Sequence, residues 1–203
     1  MMRTVCEQPE CGERLPVAGR GPMPKYCSIR CRKAAYRARQ AERNASALPQ
    51  EMTDRRRWVR RDADKRPRML DGGLASVAAP GTWASYAEAC SATVGAGLGF
   101  VLADRDGLLC VDLDHCIDDE GQVAEWAREI LDRCPRTFTE VSVSGRGLHI
   151  WGRGQVKSGR RIRRDGMAIE VYGHGRYIAV TGNRFEDAPR WLADLGPVID
   201  DLI

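Results

Sequence analysis

With 203 residues, 43% of them hydrophobic and 30% charged, the chain is long enough for one good-sized core and a small appendage. No apolar run reaches membrane-spanning length, and Met1-Met2-Arg3-Thr4-Val5-Cys6 is not a signal peptide, so a soluble, cytoplasmic protein without a membrane partner is expected. The net charge of +4 is modest but uneven: arginine dominates residues 29–68, whereas Asp and Glu gather around 112–140 and in the last twenty residues, which points to a polyanionic partner such as nucleic acid.

Residues 1–43 read as a separate small unit. Cys6 and Cys11 are separated by four residues and Cys27 and Cys31 by three, with a Gly/Pro-rich connection between the pairs. Two paired-cysteine knuckles of this kind suit tetrahedral Zn²⁺, and in so short a unit the metal would supply the folding free energy. No histidine or carboxylate accompanies the four sulfurs, so the expected zinc is structural. The remaining cysteines, Cys90, Cys110, Cys116 and Cys134, sit among apolar residues and read as reduced core thiols. After Cys31 comes a run of helix formers with Arg32, Tyr36, Arg39 and Arg43 on one stripe. The stripe is either a solvated helix face or a contact for nucleic-acid phosphates.

Residues 44–54 lack periodicity and read as a linker, which leaves 55–203 as the main domain. Arg55 to Arg61 is expected to form a first, heavily basic strand. Thr82 can cap a helix through Trp83, Tyr86, Ala87 and Cys90. Gly95-Ala96-Gly97-Leu98-Gly99 is not a dinucleotide fingerprint, because an apolar strand, Phe100 to Ala103, follows where a helix would be required. Asp104 to Gly107 reads as a hairpin turn.

It leads into Leu108-Leu109-Cys110-Val111-Asp112-Leu113-Asp114-His115, an apolar run that ends in two carboxylates. On a strand, Asp112 and Asp114 share one face while Val111 and Leu113 hold the other. Paired acids at the end of a buried strand repel each other and are costly to desolvate, and a divalent cation removes both penalties. The pair is therefore either a Mg²⁺ or Mn²⁺ site for phosphate chemistry or a solvated strand end.

A helix is expected over 122–134, then a strand over 137–144 closed by Ser144-Gly145-Arg146-Gly147. Such a loop exposes backbone N–H groups to an anion, with Arg146 at hand for charge. The strand Leu148-His149-Ile150-Trp151 follows and projects His149 just beyond the loop. Residues 153–166, with six arginines and lysines among several glycines, read as a mobile basic loop: a solvated face or a clamp on phosphates. Ala168 to Tyr172 restores strand alternation with Glu170 opposite Ile169 and Val171. Gly173-His174-Gly175 reads as a hairpin turn into a strand from Arg176 to Thr181. The terminal segment from Asp187 suggests a helix interrupted near Gly196-Pro197.

Three motifs in this order carry a resemblance: Val111-Asp112-Leu113-Asp114-His115-Cys116; Ser142-Val143-Ser144-Gly145-Arg146-Gly147-Leu148-His149; and Ile169-Glu170-Val171-Tyr172 with Gly175-Arg176-Tyr177 and Thr181-Gly182. Together with Ser76, Trp83 and Tyr86 they resemble the prim-pol branch of the archaeo-eukaryotic primase superfamily, the bifunctional primase/polymerase domains of phages and plasmids, over residues 56–185. The resemblance implies an α+β, RNA-recognition-like catalytic module with a mixed or antiparallel sheet. It implies that Asp112, Asp114 and Glu170 hold catalytic Mg²⁺ or Mn²⁺. It further implies that Ser144 and His149 contact the triphosphate of an incoming NTP or dNTP, with Arg146 and Arg176 adding phosphate contacts. The partners so implied are a single-stranded DNA template and, because many relatives fuse this module to a helicase, a helicase on a separate chain.

Three rivals remain. A haloacid-dehalogenase-type phosphohydrolase also uses Asp-x-Asp, but no convincing downstream lysine and acidic pair follow Asp114. An Asp-x-Asp glycosyltransferase would leave the cysteine unit and basic helix without a purpose. A non-catalytic DNA-binding replication factor would have no reason to keep buried charge.

Overall fold

In the computed structural model, which describes residues 5–8, 11–15, 23–35, 48–104 and 106–202, the chain divides into two units, Met1–Ser46 and Ala47–Ile203. The first contains an antiparallel bridge between Val5 and Arg14 and a helix, α1, over 29–35. Tyr36, Arg39 and Arg43 of the expected basic stripe lie outside the described residues.

The second unit runs α2 (Gln50–Thr53), β1 (Trp58–Arg61), β2 (Pro67–Arg68), α3 (Tyr86–Ser91), β3 (Gly97–Leu102), β4 (Leu108–Leu113), α4 (Glu125–Arg133), β5 (Thr139–Val141), β6 (Leu148–Arg153), β7 (Arg160–Arg164), β8 (Met167–Tyr172), β9 (Arg176–Val180), β10 (Ala193–Asp194) and α5 (Gly196–Leu202). Two sheets form: β2-β1-β3-β9, antiparallel throughout, and β10-β6-β4-β8-β7 with β5 also on β6. In the larger sheet only the β10–β6 pairing is parallel, so the chain is α+β with one antiparallel and one mixed sheet.

Alternation along β4 explains the layering. Leu108 and Cys110, with Trp151 of β6 and Tyr172 of β8, face the smaller sheet and meet Trp58, Phe100, Leu102, Ile178 and Val180. Phe100 and Trp151 meet edge-on, ring centroids 5.8 Å apart. The opposite residues of the same strands, Leu109, Val111, Leu113, Leu148, Ile150, Ile169 and Val171, pack against Ala127 and Ile130 of α4 and Ile199 of α5. Apolar faces on both sides make β4 a central strand, and each fully buried Leu or Ile contributes about 1.5–3 kcal/mol.

Several expectations need correction. Residues 48–54 are not a linker: α2 lies there, and Leu48 and Met52 are buried in the main core. Ser85, not Thr82, caps α3, by a capping box with Glu88, while Thr82 closes a short 3-10 turn. Neither Asp104–Gly107 nor Gly173–Gly175 closes a hairpin, because β3 and β4, and likewise β8 and β9, enter different sheets. The basic stretch 153–166 contains β7, joined to β8 by Asp165-Gly166 with φ of 49° and 81°, the left-handed pair of a type I′ turn. Pro197 sits in the first turn of α5, where its missing N–H costs nothing, and the segment before it pairs as β10. Gly152 makes room there: a Cβ on it would stand 2.4 Å from Leu195 Cγ. Of the scattered cysteines, Cys110 and Cys116 are buried but Cys90 is exposed. Among the described residues, no helix is long and apolar enough to cross a membrane.

Candidate active site

The pairing register sets one row of side chains across five strands. Asp112 of β4 is directly opposite His149 of β6 on one side and Glu170 of β8 on the other. Glu140 of β5 pairs with His149, and Arg161 of β7 with Glu170, so the row reads Glu140, His149, Asp112, Glu170, Arg161. All share the face that bears Cys110, Trp151 and Tyr172. Asp114 lies two residues beyond Asp112, its N–H bonded to the Ala168 carbonyl, and His115 turns the chain away with φ 54°.

Asp112 is the least satisfied member. Among the described residues its buried Oδ1 has no hydrogen-bond partner, and His149 Nε2 stands 3.7 Å away. Burial raises the Asp112 pKa to about 6; the His149 charge opposes the shift, and Asp114 and Glu170 add to it. Among the described residues Asp114 is half-buried and makes no ion pair. An orphaned buried oxygen beside two further carboxylates, all hard oxygen donors, fits a divalent cation such as Mg²⁺ or Mn²⁺. Among the described residues these three carboxylates are not gathered into a ready-made metal cluster as the four cysteines are.

Glu170 is already engaged. Arg161 Nε lies 3.0 Å from its Oε1, and the Tyr172 hydroxyl donates to Oε2 at 2.6 Å. Arg161 Nε and Arg176 Nη2 both donate to that hydroxyl at 3.0 Å, and the Arg176 guanidinium stacks 4.6 Å over the Tyr172 ring. Arg176 is thus at the site, alongside two residues that the sequence pattern alone does not single out, Arg161 and Tyr172.

His149 is buried and held from behind. Its Nδ1 lies 3.1 Å from Glu140 Oε1, and Glu140 is fully buried in spite of its charge. Burial works against a charged imidazole, but the hydrogen bond and charge of Glu140, with Asp112 and Asp114, outweigh it and raise the His149 pKa. Glu140 is not legible as a site residue in the sequence: Thr-Glu-Val alternation reads as a solvent-facing glutamate.

The Ser144-Gly145-Arg146-Gly147 loop ends where β6 begins. Ser144 Oγ lies 3.1 Å from Ser142 Oγ and accepts the Arg146 N–H at 3.3 Å. Gly145 takes φ 79°, and a Cβ on Gly147 would stand 2.8 Å from the Leu113 carbonyl, so glycine lets this loop lie against the end of β4. Arg146 pairs with Asp119, whereas the sequence pattern leaves it unpaired beside the loop.

In the N-terminal unit, Cys6, Cys11, Cys27 and Cys31 bring their sulfurs within 4.8 Å of one another. Cys11, Cys27 and Cys31 are mutually 3.5 Å apart, near the ~3.8 Å edge of a tetrahedron with ~2.3 Å metal–sulfur bonds. Contacts with Cys11 and Cys31 push the Cys27 thiol up to about 12, while burial raises and hydrogen bonds from Cys27 and Gln8 lower the Cys6 thiol, which ends at about 7. Four sulfurs and no oxygen suit Zn²⁺ in a closed, structural site.

A DNA primase-polymerase of Nitratiruptor phage NrS-1 is 40% identical over 123 residues, which make up 57% of this chain but only 17% of that protein. The family described as "Bifunctional DNA primase/polymerase, N-terminal" matches residues 37–200, which takes in α2 to β10, most of α5 and the positions of Glu140, His149, Asp112, Glu170 and Arg161. With most of its length matched, the chain belongs to the Prim-Pol family.

Proposed function

We propose that this chain is a DNA-templated nucleotidyltransferase that synthesises primers on single-stranded DNA and extends them. The observation that carries the reading is the cross-strand row in which Asp112 sits between His149 and Glu170, with a buried oxygen that nothing among the described residues satisfies. Asp112, Asp114 and Glu170 would hold two divalent cations, Mg²⁺ or Mn²⁺. When bound, these would offset charge on the attacking 3′-oxygen, the α-phosphate and the departing pyrophosphate. The chain's own residues would bind and orient. Ser144 and the glycine-bearing loop would meet the triphosphate of the NTP or dNTP, His149 would present Nε2 and donate from it when the ring carries both protons, and Arg176 and Arg161 would supply positive charge nearby. The four cysteines would hold a structural Zn²⁺, and the N-terminal unit with its arginines would grip the template.

The test is incubation with a single-stranded template and labelled nucleotides, with Mg²⁺ and Mn²⁺ in turn and product lengths read on a gel. Asp112→Asn and Glu170→Gln are expected to abolish incorporation and leave template affinity within about twofold, because basic residues dominate that contact. Primer synthesis by the Asp112→Asn protein would overturn the site assignment. Template binding without incorporation by the unaltered chain would favour a non-catalytic DNA-binding replication factor.

A further inference from the structure

We infer that Glu140 is a positioning residue for His149: it fixes which ring nitrogen carries the proton and aims Nε2 at the acidic row. The inference rests on the nucleotidyltransferase reading for its kinetic consequences but not for its geometry.

Glu140 makes an unusual set of contacts. Oε1 accepts from Trp151 Nε1 at 3.3 Å and faces His149 Nδ1 at 3.1 Å. Oε2 accepts the backbone N–H groups of Thr181 at 2.9 Å and Gly182 at 2.7 Å, and the Thr181 hydroxyl is 3.0 Å away. An indole N–H and two backbone N–H groups can only donate, so both carboxylate oxygens act as acceptors. Glu140 as a carboxylate has no proton to give, so His149 Nδ1 donates to Oε1 as well. In the neutral ring this leaves Nε2 as the nitrogen with a free lone pair, and Nε2 is the one that lies 3.7 Å from Asp112 Oδ1. The His149 side chain is 7% exposed and that of Glu140 not at all, which leaves little room for water to substitute for either partner.

The link also has reach. Thr181 and Gly182 follow β9 in the smaller sheet, so the carboxylate ties the orientation of a β6 side chain to the turn that leaves the other sheet. A glutamate kept only to satisfy that turn would have no need to face His149. A glutamine in its place cannot reproduce the arrangement, because one end of an amide is itself a donor and would face either the two backbone N–H groups or the indole and imidazole.

Two measurements on the whole chain test this. The sequence has three histidines, so the ring nitrogens of His149 can be assigned by ¹⁵N NMR, with His149→Ala as the reference. In the unaltered protein the neutral ring is expected as the Nδ1–H tautomer, and an Nε2–H tautomer would overturn the inference. This reading needs no variant to fold. The second is a double-mutant cycle on nucleotide incorporation. Glu140→Gln is expected to raise KM for the nucleotide about 10-fold, the size of loss seen when a carboxylate that orients a functional histidine is removed. Combined with His149→Ala, it should add no further loss. Losses that multiply would mean that Glu140 acts on stability alone, and an unchanged KM would refute its role. If the unaltered chain incorporated no nucleotide, the polymerase reading would fall, and the tautomer would still decide the positioning.

Discussion

Asp112 is where the chain bears an electrostatic cost that a ligand can relieve. Unfolded, its carboxyl loses its proton near 3.8; folded and metal-free, it holds the proton to about 6. The folded state therefore binds more protons across this window. Stability that is fully present below about 3.8 is lost as pH rises through about 6, by up to about 3 kcal/mol for a shift of roughly two units. In metal-free buffer Asp112→Asn is expected to melt higher than the unaltered chain at pH 8, with the difference gone at pH 4. Added Mn²⁺ should raise the melting temperature of the unaltered chain and leave that of the variant unmoved. A variant that melted lower at pH 8 would mean that the carboxylate is already compensated. At this scale alternation along one strand put Asp112 and Asp114 on a common face, whereas the join with His149 and Glu170 depends on pairing register and was suggested only by the family resemblance. The sequence was silent on Glu140, whose partners at Thr181 and Gly182 come from about forty residues later in the chain and whose burial depends on two sheets meeting.

Strand β7 shows how the same local signal can lead two ways. Asp106-Gly107 and Asp165-Gly166 are both turn dipeptides, yet the second closes a hairpin and the first does not. At the first, the Asp106 carboxylate is taken by Arg57, in a paired contact of 2.9 and 3.0 Å, and the chain leaves one sheet for the other. At the second, Ile162 packs against the helix-facing core while four arginines stay exposed, so composition hides a strand that backbone pairing makes. Its consequence for the site lies in Arg161, which neutralises Glu170 and so competes with any cation that carboxylate is to hold. The arginine side chain is 56% exposed, and an ion pair so open to water is worth no more than about 1 kcal/mol. Arg161→Ala is accordingly expected to tighten Mn²⁺ binding by a few-fold, measured by calorimetric titration without nucleotide. Weaker binding would make Arg161 a support of the carboxylate and not its competitor.

The two units differ in what holds each one together. The larger has three apolar clusters, one between its sheets, one beneath α4 and α5 and a smaller one of Val59, Ala75, Trp83 and Val101, and contains nearly every buried large side chain described. The smaller offers only Cys6, Leu15 and Ala35 as buried apolar residues among those described, too few to offset the entropy of ordering the chain. Cysteine spacing made this division legible, but its boundary fell too late, because Leu48 and Met52 are apolar residues in a polar stretch whose burial shows only once the core exists. If metal supplies the missing free energy, the N-terminal unit should fold with one Zn²⁺ per chain and unfold without it. Cys27→Ser is expected to lose the zinc and to expose residues 1–46 to limited proteolysis. The fragment from about residue 47 onward should persist and keep the melting transition of the unaltered protein. That fragment retains the whole acidic row, so Mn²⁺ should still raise its melting temperature. If the template-gripping role is right, it should extend a supplied primer while starting new ones at least about tenfold more slowly. Equal loss of both activities would count against that role, and a zinc-free variant as resistant to protease as the parent would show that the four sulfurs need no metal to hold their fold.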